Sequence, residues 1–348
     1  MIRVLVVDDS PVTREFLVHI LSSDPDIQVI RTASNGEEAV EFTRKNKPDV
    51  ITMDIHMPGM NGFEATRTIM ETNPLPIVIV SASWNPEEVE KTFLCMEAGA
   101  ITALAKPPGM RHPEYEKRAE EIITTAKLMS EVKVVKRYPR LRYQKPLPPA
   151  SPKVEKRGGI KIIAIGASTG GPPALQSILS GLSKDISVPV LIVQHIAKGF
   201  LTGMVEWLGH TTGFPIHIGN HGKIPLPGHV YFAPEDLQMG VDNSGRISLS
   251  KDDPINNVRP SASYLFRSIS NIFREKAIGV LLTGMGKDGA VELRLMKMRG
   301  AITIAQDKDT SVVHGMPGEA IKLDGATYVL PIDRIYEMLE SLVSKTFH

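Results

Sequence analysis

From its second residue the chain alternates two kinds of patterning. Runs of consecutive apolar, mostly β-branched positions, "RVLVVDD", "IQVIRTAS", "DVITMDI", "PIVIVSA" and "ITALAK", are separated by stretches such as "GEEAVEFTRKN" and "GFEATRTIMETN" with helical spacing of their apolar residues. A strand that is apolar on both faces needs helices on both sides of its sheet, and this alternation demands parallel strands joined by helical crossovers. The chain through residue 106 therefore predicts a doubly wound α/β domain. A charged helical pattern near 112–132 leads into "VKVVKRYPRLRYQKPLPPASPKVEKRGG", which is rich in proline and basic residues and lacks apolar periodicity. It reads as a semi-extended linker. From residue 160 the alternation resumes, with "KIIAIGAS", "VPVLIVQH", "AIGVLLTG", "AITIAQD" and "ATYVLP" as strands and "ALQSILSGL", "SASYLFRSISNIFREK" and "IDRIYEMLESLVSK" as helices. Residues 215–250 differ: short runs such as "GHVYFAP" and "GRISLS" between Gly/Pro turns predict an antiparallel excursion.

Length and charge change this picture only at its edges. With 348 residues, two domains are expected, each able to bury its own core. Forty basic against 39 acidic side chains leave a formal charge of +1, so no global field draws the chain to nucleic acid or an anionic membrane. The single cysteine, Cys95, sits in the helical run "VEKTFLCMEAG" as a core thiol and fits a reducing compartment. The apolar run at the amino terminus ends in two aspartates and is too short for a signal-peptide core, and no run reaches the length of a membrane span. The expectation is a cytoplasmic protein without membrane insertion or a nucleic-acid partner.

In an open parallel sheet, ligands bind beyond the carboxyl ends of the strands. Asp8 and Asp9 close the first predicted strand, Asp54 the third, Ser81 the fourth and Lys106 the fifth. Three crowded carboxylates repel one another unless a cation lies among them, and an all-oxygen set suits Mg²⁺. Ser81 and Lys106 at the same edge can hold two oxygens of a phosphoryl group, which makes Asp54 a candidate phosphate acceptor. These residues and their surroundings, "VVDDS", "DIHMPGMNGFEA", "VSAS" and "GAITALAKPP", resemble response-regulator receiver domains over roughly residues 1–125. The resemblance implies Asp54 as phosphoacceptor, Asp8, Asp9, Asp54 and the main-chain carbonyl of His56 as Mg²⁺ ligands, and Ser81 and Lys106 as phosphoryl contacts. Ala103 stands where many receivers carry Tyr or Phe, so an aromatic rotamer switch is not expected.

In the second half, Gly166-Ala167-Ser168-Thr169-Gly170 forms a G-x-S-x-G pattern between a predicted strand and helix. Such a turn exposes a nucleophilic serine, but a glycine-rich turn of this kind also cradles phosphate. A nucleophile needs a base, and His195 ends its strand as Ser168 ends its own, with His314 in "SVVHGMPGEA" as competitor. Asp288, just beyond the strand "GVLLTG", is either the orienting carboxylate or the cap of the helix that follows it.

Together "GASTGGPPAL", "QHIAKGF", "RPSASYLF", "LLTGMGKDGA" and "HGMPGEA" look like the catalytic domain of the chemotaxis protein-glutamate methylesterases. With the receiver and linker, that resemblance covers essentially the whole chain. It implies a flavodoxin-like receiver at 1–125, a helix end and linker at 126–158, and a Rossmann-like α/β esterase domain with a small antiparallel excursion at 159–348. It further implies Ser168 as nucleophile, His195 as base and then acid, and Asp288 as orienter, with the main-chain amides of Met285 and Thr169 at the oxyanion. The implied activity is phosphorylation-regulated hydrolysis of glutamate methyl esters, with deamidation of glutamines. Its partners would be chemoreceptors as substrate and a chemotaxis histidine kinase as phosphodonor, with Mg²⁺ for phosphorylation and no cofactor for hydrolysis. The rival readings are a response regulator with a DNA-binding output, disfavoured by the missing helix-turn-helix pattern, and a silent receptor-docking module, disfavoured by the Ser/His/Asp set.

Overall fold

The apolar runs of the first unit become five parallel strands, of which the third and fourth in chain order, inside the sheet, are buried throughout while the second, at the edge, keeps exposed positions. In the computed structural model, which describes residues 1–81, 86–132, 134 and 159–343, the chain splits into two units, Met1–Pro146 and Leu147–His348. In the first unit β1 (Ile2–Val7), α1 (Pro11–Ser22), β2 (Ile27–Ala33), α2 (Gly36–Lys45), β3 (Val50–Met53), α3 (Gly62–Thr72), β4 (Ile77–Ser81), α4 (Pro86–Ala98), β5 (Thr102–Ala105) and α5 (Tyr115–Ser130) follow in turn. The sheet order β2-β1-β3-β4-β5 reverses direction between β1 and β3, the switch point at which such sheets open a crevice. Val4 to Val7, all of β3 and all of β4 are buried. Local chemistry sets the helix starts. Ser10 caps α1 ahead of Pro11, and Asn61 and Glu64 close a reciprocal capping box on α3. Cys95 is buried, and that burial pushes its thiol pKa up to about 12. The proline-rich basic stretch lies almost wholly outside the described residues.

The second unit is a seven-stranded parallel sheet ordered β14-β13-β12-β6-β7-β9-β8. Its elements are β6 (Ile162–Ala167), α6 (Gly171–Gly181), β7 (Val190–Gln194), α7 (Leu201–Thr212), β8 (Ile216–Ile218), β9 (Val230–Phe232), β10 (Gln238–Val241), β11 (Ile247–Ser250) and α8 (Ala262–Ile272). They continue with β12 (Ala277–Leu281), α9 (Ala290–Met298), β13 (Ile302–Gln306), α10 (Met316–Lys322), β14 (Tyr328–Leu330) and α11 (Ile332–Val343). The chain winds outward from β6 through β7, then returns to the other side of β6 as β12. The switch point therefore lies between β6 and β12, as in Rossmann-type sheets. The antiparallel section expected over 215–250 shrinks to the hairpin β10–β11. "GHVYFAP" instead supplies β9, which pairs in parallel with both β7 and β8. All three of its residues are buried, the mark of a strand covered on both faces rather than a half-exposed hairpin arm. Among the described residues no helix is long and apolar enough to cross a membrane.

Candidate active site

Three turns at the carboxyl edge of the second sheet converge on Ser168. Strand register places Ala167 opposite Gln194, so Ser168 and His195 leave neighbouring strands side by side, and the His195 N–H donates to the Ala167 carbonyl at 2.9 Å. From the other side the Ser168 N–H donates to Thr283 O at 3.0 Å, tying the serine to the turn that carries Asp288. That turn passes very close, since a Cβ on Gly284 would lie 2.7 Å from the Ser168 Cβ. Gly170 has φ +76°, the left-handed conformation needed to swing the chain from Ser168 into α6.

His195 Nε2 lies 2.9 Å from Asp288 Oδ2, with both side chains largely shielded from solvent. Burial pushes the Asp288 carboxyl upward, but hydrogen bonds and charge from His195, together with donors on Ser261 and Asn256, outweigh it. The group is held well below the ordinary carboxylate range. Asp288 does not cap the helix that follows it: Gly289 occupies that position without a side-chain bond, and Asp288 instead receives the amino terminus of α8. His314, the competing base, turns its Nδ1 to the Ser311 hydroxyl at 3.3 Å. Burial and the Lys308 charge lower its pKa. Among the described residues the Ser168 hydroxyl makes no hydrogen bond to His195.

The peptides holding the two candidate oxyanion donors are oriented through their carbonyls. Ser168 O accepts from Gly171 N at 2.7 Å and Gln194 Nε2 at 2.9 Å. In a trans peptide the N–H of Thr169 must then point away from both. Gly284 O accepts from Gly315 N at 3.1 Å and Met316 N at 2.9 Å, which turns the N–H of Met285 away from α10. Neither N–H donates a hydrogen bond among the described residues. Beside His195, Gln194, Ile196, Lys198, Glu235, Asp236 and Arg259 line a cleft of about 60 Å³ that offers both signs of charge.

In the first unit, one oxygen from each of Asp8, Asp9 and Asp54 lies within 4.8 Å of the others, at the β1/β3 switch point. Asp8 and Asp54 are buried, and Lys106 Nζ sits 2.7 Å from Asp8 Oδ2 and 2.8 Å from Asp54 Oδ2. Burial raises the Asp54 carboxyl above its usual value in spite of Lys106. Burial acts against the Lys106 ammonium, but hydrogen bonds and charge from Asp54 and Asp8 prevail and raise it. Ser81 sits at the same edge, its carbonyl bonded to the Lys106 N–H at 2.8 Å, and its buried hydroxyl has no partner among the described residues. An all-oxygen anionic set beside an unused hydroxyl fits a hard divalent cation and a phosphoryl group. His56 is an exposed residue between the buried Ile55 and Met57 in the loop after β3, and Ala103 packs against the core.

This geometry has close parallels. The chain is 55% identical over 347 residues to the protein-glutamate methylesterase/protein-glutamine glutaminase of Nitrosospira multiformis, covering 99% of this chain and 98% of that one. A model described as CheB methylesterase matches residues 163–339, and one described as response regulator receiver domain matches 4–112. The chain belongs to the CheB methylesterase family. A second relative, protein-glutamate methylesterase/protein-glutamine glutaminase 1 of Syntrophus aciditrophicus, is 52% identical over 347 residues, with 98% of each chain covered. The crystal structure of the Thermotoga maritima CheB methylesterase catalytic domain aligns with a TM-score of 0.52 at 40% identity, covering 53% of this chain and all of that one.

Several residues of this CheB-family site escaped the sequence reading. Gln194 donates through Nε2 to both Ser168 O and His195 O, the latter at 2.7 Å. Thr283 donates to Thr169 O at 2.9 Å and accepts from Val313 N at 3.0 Å. Ser261, Ser263 and Asn256 surround Asp288. The signals were slight: a glutamine closing an apolar strand in "VLIVQ", and a serine before a helix in "RPSASYLF".

Proposed function

We propose that this chain is a phosphorylation-regulated protein-glutamate methylesterase and protein-glutamine glutaminase of chemotaxis, with a receiver at 1–125, a linker at 126–158 and a catalytic domain at 159–348. The observation that carries the reading is the placement of Ser168 and His195 on adjacent strand ends with Asp288 bonded to the imidazole. His195 removes the Ser168 proton as Oγ attacks the ester carbonyl of a methylated glutamate, and the nitrogen not held by Asp288 receives it. The N–H groups of Thr169 and Met285 take the oxyanion. Methoxide is a poor leaving group, so His195 returns the proton and methanol departs. Water then attacks the acyl-enzyme with His195 again as base, releasing glutamate and the free serine. With glutamine as substrate the first departing group is ammonia.

In the receiver, Asp54 accepts the phosphoryl group from a histidine kinase, and Ser81 and Lys106 bind its oxygens. Asp8, Asp9, Asp54 and the His56 carbonyl would hold Mg²⁺, which supplies charge neutralisation for the transfer. The protein substrates are the cytoplasmic helices of chemoreceptors, and the place of action is the cytoplasm. Methanol release from methylated receptor, with and without a small phosphodonor, tests the whole reading. Wild type should be stimulated, Asp54→Asn should ignore the donor, and Ser168→Ala should be inactive yet still phosphorylated. Hydrolysis by Ser168→Ala within a few-fold of wild type removes the nucleophile assignment.

A further inference from the structure

The Asp288 carboxylate is held by far more than the imidazole. Its Oδ2 also accepts from the Ala262 N–H at 2.6 Å. Its Oδ1 accepts from the Ser261 hydroxyl at 2.6 Å, the Asn256 side-chain amide at 3.1 Å and the Ser263 N–H at 3.2 Å. Three of these donors belong to the first turn of α8, whose dipole favours an anion. Ser261 is itself fixed, since its N–H donates to Oε1 of the fully buried Gln238 at 2.9 Å.

Asn256 comes from a different element. It lies at the tip of a tight hairpin closed by the Ile255–Val258 bridge, where Asn256 and Asn257 have φ +53° and +63°. A two-residue turn of this kind asks only for residues that tolerate the left-handed region, and glycine would meet that demand at least as well. The amide is an addition to what the turn requires, and it is directed inward to Asp288 Oδ1 and to the Ser263 hydroxyl at 3.3 Å.

We infer that Ser261 and Asn256 are positioning residues of the hydrolase, acting on His195 through Asp288. The inference rests on the assignment of Ser168, His195 and Asp288 as one catalytic unit. An aspartate carboxyl turns easily about its last torsion, and its two oxygens are chemically alike. Two side-chain donors and a backbone N–H on Oδ1 remove that freedom. Oδ2 is thereby committed to the imidazole, and the plane of the carboxylate is set against His195. An imidazole anchored this way keeps one tautomer and one direction through both proton transfers.

Full-length Ser261→Ala, Ser261→Thr and Asn256→Gly test the assignment together. Threonine keeps the hydroxyl, and glycine keeps the left-handed backbone while removing the amide. Ser261→Ala and Asn256→Gly should each lower kcat for methanol release by about tenfold with KM within about twofold, and Ser261→Thr should recover to within about threefold of wild type. The low-field proton resonance of the His195 N–H facing Asp288, read without substrate, should shift or broaden in the first two variants and persist in Ser261→Thr. Wild-type kcat and an unchanged resonance in Ser261→Ala and Asn256→Gly would overturn the inference. So would equal impairment of Ser261→Thr and Ser261→Ala. If wild type itself released no methanol while the resonances changed as described, the activity reading would fail and the positioning role would stand.

Discussion

Replacing Gln194 by leucine separates the orientation of the site from the presence of its reactive side chains. The Gln194 side chain is buried, and its Nε2 bridges the carbonyls of Ser168 and His195 at 2.9 and 2.7 Å. Its Oε1 is buried without a partner among the described residues and lies against Gly171, where a Cβ would overlap it. Leucine approximates the volume and removes both bonds. Each bond contributes about 1 kcal/mol net to folding, whereas an unpartnered buried oxygen costs about 1–3 kcal/mol, so the two changes oppose each other. Global stability should shift by less than about 2 kcal/mol. The reaction has no such compensation, because the Ser168 carbonyl shares its peptide with the Thr169 N–H and would then be held by Gly171 N alone. Deleting an oxyanion donor outright costs about 10²–10³ in kcat, so loosening one should cost about 10- to 100-fold. Initial rates of methanol release over a range of substrate concentrations, paired with thermal melts, measure both quantities. A kcat within twofold of wild type would refute the orienting role. A melting temperature that collapses along with kcat would refute the compensation.

The other predictions concern the Asp288 carboxylate, the turn at Gly284 and the receiver. Asp288 is held below its ordinary value of 3.8, so it contributes stability that is present above that value and is lost as pH falls through the depressed one. The melting temperature of wild type should therefore fall more steeply below about pH 4 than that of Asp288→Asn, and parallel curves would contradict the assignment. Gly284→Ala would place a Cβ 2.7 Å from the Ser168 Cβ and 2.5 Å from Met316 Sδ. The thioether can move aside, but the serine on its short turn cannot, so fluorophosphonate labelling of Ser168 should slow by at least about tenfold, and unchanged labelling would mean the turn yields. Chelating Mg²⁺ should stop phosphorylation of Asp54 while basal methanol release continues, and loss of the basal rate would assign a metal to the catalytic unit.

Much of the fold was legible because burial on two faces leaves a local trace. "VLVV", "IVIV", "IIAI" and "VLIV" are apolar at every position, and a strand covered on both faces needs nothing else to be recognised. The residue where each run stops is also local, which is why Asp8, Asp54, Ser81, Ser168 and His195 could be placed at strand ends before any topology was known. "GHVYFAP" misled because a three-residue strand between Gly/Pro turns looks the same whether its partner is a hairpin arm or a parallel neighbour. Its partners, β7 and β8, are set by how the chain crosses over.

The sequence by itself determined which residues have the chemistry and which end of a strand each would occupy. Tertiary structure decided which of them meet. His195 and His314 both follow apolar runs, and only the strand order, with β6 between β7 and β12, brings His195 to Asp288. Asp288 was open to reading as the cap of its own helix, yet it takes the amino terminus of α8, whose first residue precedes it by twenty-six positions. Gln194 carries no pattern of its own, and its role appears only where two carbonyls from different turns lie within reach of one amide. Periodicity records how a side chain is buried relative to its neighbours in sequence. Hydrogen-bond partners at a sheet edge depend on the order in which distant strands are laid side by side, and no local pattern encodes that order.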